Sequence, residues 1–479
     1  MDERGRPGDS LMQRLTLNTL AKSYTTNHQA ATDLYGQQYD PHTFEVLKSK
    51  LKQRALTSLL LLDIGEPTTN PRSAMRHRLL RQLVQVNLLL LFGTRKTAIR
   101  LLRKIERLST SYQLTDLTLE CMILLRSHYW YAGQRDQYQR ASRRIDQLLA
   151  LLGKELRAEA LYFEASISFV RSKAKNKVIV TNISKLLQEL EHLAEGEQSF
   201  MLLSYQYKLS ILSYQLSDQY QNVIRESKKA MKLFAKERRF YDKATYFFFL
   251  LTLCESLQLL RNYEEASQYL AECYTVLERS NPNVLSVQRI SLLTNLGMGQ
   301  IEKAEQIVTA VQATSTPALS QHHQEEWVLM RNYVVAIKAM QMIRKHGRAS
   351  KEAMQQIKQL PSKLNLPIFS KDKLGVNIPI VILRVLSLVL RRNHKELMQS
   401  DKILDNYIYR YLISNKEYIR SAAFLKLLRL AIKEDFNKER VKKKSIKLLT
   451  TLHQIRSLES IEILPYDILA ELFIESVCE

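Results

Sequence analysis

Lys96, Arg100, Arg103 and Arg107 step by four, three and four residues through "RKTAIRLLRKIER", a spacing that aligns four cations along one helix face. Ile99, Leu102 and Ile105 fall on the opposite face. From Arg72 to Arg107 there are ten Lys or Arg and one acidic residue, Glu106. The following segment, "RSHYWYAGQRDQYQRASRR", interleaves Arg126, Arg135 and Arg143 with Tyr129, Trp130, Tyr131 and Tyr138. A third cluster, "KERVKKKSIK", contains Lys442, Lys443 and Lys444. Cations in a row can follow a phosphate backbone, and aromatics set among them can stack bases. An acidic protein partner would fit equally well. A plain solvated helix face, with the tyrosines in the core, produces the same pattern.

No machinery for catalysis accompanies these cations. The twelve glycines form no G-x-G-x-x-G, Walker loop or G-x-S-x-G. "HHQEEW", His322 to Trp327, lacks the one-turn separation of two histidines that a zincin needs, and reads as a solvated helix start. Glu264-Glu265 and Glu325-Glu326 suit the first turns of helices, where carboxylates meet the positive end of the dipole. Cys121, Cys254, Cys273 and Cys478 form no CxxC, so reduced, buried thiols in a cytoplasmic protein are expected. The expectation is a protein that is not an enzyme and holds no metal and no cofactor.

The elements that carry the cations are helices. Only 12 glycines and 10 prolines occur in 479 residues, well under the usual shares of about 7% and 5%. So few breakers favour long helices joined by short connections over the many turns of an all-β fold. The greasiest runs, Leu83–Phe92 and Tyr246–Cys254, fall short of the roughly 18 apolar residues of a membrane span, so no membrane insertion is expected. The opening "MDERGRPGDS" has no apolar stretch of the signal-peptide kind.

The helices recur. In "LQLLRNYEEASQYLAECYTVL", Ala266 has a large residue three before it, Tyr263, and an apolar residue seven after it, Cys273. Comparable positions are Ala98, Ala141, Ile183, Val223, Ala304, Ala353 and Leu397, at spacings of 38 to 49 residues. A second amphipathic segment lies between each pair, so each unit is two helices.

"NYEEASQYLAECYTVL" resembles the second helix of a tetratricopeptide repeat, where a small residue lets the paired helix approach. The period near 42 departs from the standard 34, which makes each helix about a turn longer, as in long-helix relatives of that superfamily. A HEAT-like array shares the spacing; the YEEA-type junction favours the tetratricopeptide-like reading.

The resemblance implies an all-α, right-handed α-α superhelix of antiparallel helix pairs whose first helices line a concave groove. Arg126, Trp130, Lys208 and Glu255 would then face the groove, together with Leu212 and Leu251. Whether the basic surface is concave or convex stays open.

The expected organisation is a disordered tail at 1–10, an N-terminal helical pair at 11–71 and repeats at 72–360. A linker at 361–379 and C-terminal repeats with a capping helix at 380–479 complete it. In "FEVLKSKLKQRALTSLLLL", Phe44, Leu47, Leu51, Ala55, Leu59 and Leu62 share one face, as in a core helix. The expected function is a scaffold or adaptor binding a protein or peptide, an acidic one included. A nucleic-acid-associated protein using residues 72–144 and a peptide-responsive regulator are the alternatives.

Overall fold

The computed structural model describes residues 7–59, 70–171, 177–277, 281–314, 320–361, 375, 377–413, 418–455 and 462–478. Every regular element among them is helical. The chain divides into two compact units, Met1–Leu149 and Ala150–Glu479. Among the described residues no helix is long and apolar enough to cross a membrane.

The first unit opens with α1 (Pro7–Leu20), α2 (Asn27–Tyr35) and α3 (Pro41–Leu59), three helices where the sequence suggests two. At nine residues α2 is too short to display a period, and it rests on its ends. Thr26 accepts from the Gln29 amide at 3.2 Å, and Gly36 closes the C-terminus. Helix begins at Pro7, inside the segment expected as a tail; residues 1–6 lie outside the described residues. Phe44 and Leu47 of α3 join Met12, Leu15, Ala31 and Leu34 in a small core, but Ala55 and Leu59 are exposed. Fourteen- and nine-residue partners cover only the first half of a nineteen-residue helix. Leu62 lies outside the described residues.

Then come α4 (Pro71–Leu91), α5 (Arg95–Ser111), α6 (Thr115–Tyr131) and α7 (Arg135–Arg171). Leu79, Leu83 and Val86 of α4 share a core with Ala98 and Leu102 of α5, Cys121 and Leu125 of α6, and Ala141 of α7. The turns are tight because each ends a helix with one residue at positive φ, Gly93 (75°) and Gly133 (67°) among them. The next amide then reaches back five residues, as Thr94 does to Leu89 and Gln134 to Tyr129, both at 2.9 Å.

In the second unit the later part of α7 is followed by α8 (Lys177–Ala194), α9 (Phe200–Leu216), α10 (Tyr220–Lys236), α11 (Lys243–Leu259) and α12 (Tyr263–Val276). Next are α13 (Val284–Gly297), α14 (Ile301–Thr314), α15 (Gln321–His346), α16 (Lys351–Gln359), α17 (Asn377–Leu390) and α18 (His394–Tyr407). After a short π-helical turn, α19 (Ile419–Lys433), α20 (Lys438–Gln454) and α21 (Tyr466–Val477) complete it. From α8 to α16 each helix packs on the next, and again from α17 to α21. First helices of neighbouring pairs also touch: α11 on α13, α15 on α17, α17 on α19. This is a succession of packed helix pairs, compatible with a helical repeat.

All eight anchor residues are at most 2% exposed. A ninth, Val441, is fully buried at the fourth position of α20, 44 residues after Leu397. The sequence shows only a charge cluster there. The four described cysteines are free and buried, and burial pushes the Cys121 thiol up to about 12.

Two features depart from a simple array. First, α7 is one 37-residue helix with no turn between the second helix of one pair and the first of the next. Its midpoint, "LLALLGKEL", holds no proline and no residue at positive φ, and Gly153 stays helical.

Second, α21, expected as a capping helix, exposes only Glu471 and Glu475, one turn apart. The rest of it is buried or half-buried, packed against α15, α19 and α20. Arg261, in the turn before α12, makes two 2.7 Å bonds to Asp467 at the start of α21, 206 residues away. Most of the expected linker, 362–374 and 376, lies outside the described residues; helix resumes at Asn377.

Gly297, the last residue of α13, lies flat against the Tyr263 ring, and a Cβ there would overlap it. Gly297→Ala should destabilise by about 1–3 kcal/mol in urea unfolding, and Gly297→Ala/Tyr263→Leu should recover part of the loss. Equal losses in the single and double variants would show that the contact is not the cause.

Candidate functional site

The amphipathic α5 buries Ala98, Ile99, Leu102 and Ile105 and leaves Lys96, Arg100, Arg103 and Arg107 exposed. Arg103 and Arg107, one turn apart, form one wall of an open cleft of about 640 Å³. The first part of α7 supplies the other wall with Gln137, Arg140, Ala141 and Arg144. Met122, Leu125 and Tyr129 of α6, the helix between them, form an apolar floor. Four guanidinium groups therefore rim a greasy base, with Glu106 the only carboxylate in the lining.

The basic residues at the start of α4 differ. Arg72 donates to the carbonyls of Tyr112 (3.2 Å) and Gln113 (2.8 Å), and Arg76 pairs with Asp116. Those arginines tie the α5–α6 turn to α4. Arg103, Arg107 and Arg140 make no salt bridge among the described residues, and Arg144 reaches only the Gln147 amide, at 3.3 Å. Four like charges held together with one carboxylate among them favour an anion. At the end of α6, burial, Arg95 and Arg103 lower the His128 pKa, so this histidine adds no charge near neutral pH.

A scan against protein-family models finds no match to the chain. Comparisons with curated proteins and with solved structures find none either.

Several candidates from the sequence fall outside the cleft. Lys96 and Arg100 are exposed nearer the start of α5, and Arg135 and Arg143 are exposed on α7 away from the lining. Arg126 is half-buried on α6, and Trp130, 65% exposed, lies at its end against Tyr131. Lys442, Lys443 and Lys444 are exposed on α20 in the second unit, with Lys444 paired to Glu434 at 2.5 Å.

Lys208 and Glu255 occupy first helices of the second unit. The Lys208 ammonium sits among the rings of Tyr162, Tyr205 and Phe248, 5.2 to 5.9 Å from their centroids, and burial lowers its pKa. Glu255 has a pKa raised by desolvation, which Arg289 opposes from 3.5 Å; Arg289 also lies 3.9 Å from Glu326. Glu255, Arg289 and Glu326 thus offset one another, whereas Lys208 is held by rings and by the Thr245 hydroxyl at 3.5 Å. His322, His323 and Glu326 bring potential ligand atoms within 4.8 Å of one another. Arg289 beside Glu326 and the positive end of α15 oppose a cation there.

Arg140 and Arg144 lie within the basic segment noticed in the sequence, yet the anchors do not pick them out. Arg103 and Arg107 follow their anchor by five and nine residues, while Arg140 precedes its own by one and Arg144 follows by three. A common register could not pair them. The usable signal was the shared one-turn separation of two arginines on neighbouring second helices.

Proposed function

We propose that this chain is a non-enzymatic, tetratricopeptide-like helical-repeat adaptor that captures an acidic, amphipathic segment of a partner protein in the arginine cleft. The observation that carries the reading is the pairing of four arginines with an apolar floor of Met122, Leu125 and Tyr129. Carboxylates on one side of a peptide would meet the rim while leucine-sized side chains cover the floor. A phosphate backbone would use the rim and leave the floor idle.

Buried anchors, and contacts between successive first helices of the second unit, support an array of helix pairs.

A fluorescent peptide repeating Glu-Glu-Leu-Leu, compared by anisotropy with a single-stranded oligonucleotide of equal charge, tests the reading. The peptide should bind more tightly and keep most of its affinity between about 50 and 200 mM salt, whereas affinity resting on phosphate contacts alone falls steeply. Preference for the oligonucleotide would overturn it.

A further inference from the structure

The first unit carries a second surface that the cleft does not use. Along the edge where α4 ends, α5 begins and α6 ends, large apolar side chains project into solvent: Leu91 77% exposed, Phe92 75%, Trp130 65% and Tyr131 68%. Leu88, one turn back on α4, is half exposed as well. Phe92 and Trp130–Tyr131 stand at the two tight turns closed by Gly93 and Gly133. Arg95 joins the turns: its guanidinium lies 4.5 Å from the Tyr131 ring centroid and donates to His128 at 3.2 Å. Lys96 and Arg135 are exposed beside them, with Asp136 the one carboxylate among residues 88–96 and 128–138.

We infer that this edge docks the protein on an anionic lipid bilayer as a peripheral contact. Phenylalanine and leucine at turn tips can enter the acyl boundary, tryptophan and tyrosine suit the headgroup layer, and flanking cations attract acidic lipid. Two of the exposed residues are leucines, which no nucleic-acid strand would use. The charge complementarity, together with apolar tips on adjacent turns, selects a lipid surface over an aqueous acidic partner.

The chain provides its own reporter. Of its two tryptophans, Trp327 is buried and Trp130 is exposed, so environment-dependent emission changes at this edge come from Trp130. The full chain is mixed with phosphatidylcholine vesicles, with or without phosphatidylglycerol, and both sedimentation and emission are followed. Expected are sedimentation with the anionic vesicles only, a blue shift of Trp130 absent from Trp130→Phe, and quenching by brominated acyl chains.

Arg95→Ser should weaken binding about fivefold, and Leu91→Ser/Phe92→Ser should abolish the blue shift without changing far-ultraviolet dichroism. Failure to sediment with anionic vesicles overturns the inference. So does sedimentation without a blue shift that Leu91→Ser/Phe92→Ser leaves intact, which is adsorption of a basic protein. Quenching of Trp130 by single-stranded RNA but not by brominated vesicles would assign the edge to nucleic acid instead. Arg103 and Arg140 are untouched in every variant, so this outcome is independent of peptide binding in the cleft.

Discussion

Replacing Arg420 with methionine is expected to cost the second unit about 3–5 kcal/mol and to release α21. Arg420 lies on α19, and its side chain is only 6% exposed. It donates twice to Glu462, at 2.6 and 2.9 Å, once to Asp467 at 2.8 Å, and to the carbonyls of Leu452 and Ile455. Glu462 also accepts the Tyr466 amide at 2.9 Å, and Asp467 takes the fork of Arg261. Methionine keeps much of the volume but leaves the Glu462 carboxylate, 5% exposed, buried without its cation.

Amide exchange of α21 should accelerate together with the fall in stability. Arg420→Lys should recover little, because a single ammonium cannot reproduce the fork and the two carbonyl bonds. A loss under about 1 kcal/mol for Arg420→Met, with α21 still protected, would mean that the network is incidental.

The same network sets an acid limit. Burial alone would raise the Asp467 pKa; hydrogen bonds from Arg261 and then Arg420 override it and hold the group at about 2, against an ordinary value of 3.8. A carboxyl depressed in this way stabilises fully above its unfolded pKa and loses its contribution as pH falls from about 4 through 2. About 2 kcal/mol is at stake over that window. Asp467→Asn should remove this part of the pH dependence, and an unchanged acid profile would contradict the assignment.

The second large effect is expected at the cleft. Arg103→Glu/Arg140→Glu reverses one guanidinium on each wall and should weaken binding of the Glu-Glu-Leu-Leu peptide by at least about 30-fold, since lost attraction and new repulsion act together. Both side chains are exposed and unpaired among the described residues, so the fold should tolerate the change. Lys442→Glu/Lys443→Glu changes net charge equally in the other unit and should alter affinity less than about twofold. Equal losses in the two variants would show that overall charge, and not the cleft, attracts the peptide.

How far the sequence disclosed these sites follows from the range of the forces involved. The anchors were readable because each is local: an alanine or aliphatic residue within the first two turns of a helix repeats a pattern within a dozen residues. The basic stripe of α5 was readable for the same reason. The second wall of the cleft was not, since pairing Arg103 with Arg140 depends on how two helices align across a third. Continuity of α7 was hidden because an expected turn leaves no mark when its stop signal is missing. Closure of α21 on Arg261 spans 206 residues and leaves no local periodicity at all. Trp130 was noticed among arginines and assigned to a groove; its place at a helix end depends on the Gly133 turn just beyond it.

Hydrogen–deuterium exchange of the full chain, with and without saturating Glu-Glu-Leu-Leu peptide, is the most direct measurement of the adaptor reading. The account predicts new protection confined to α5, α6 and the first part of α7, around Arg103, Leu125 and Arg140. Protection centred instead on the first helices that carry Lys208, Glu255 and Arg289, with none between Arg103 and Arg144, would contradict it.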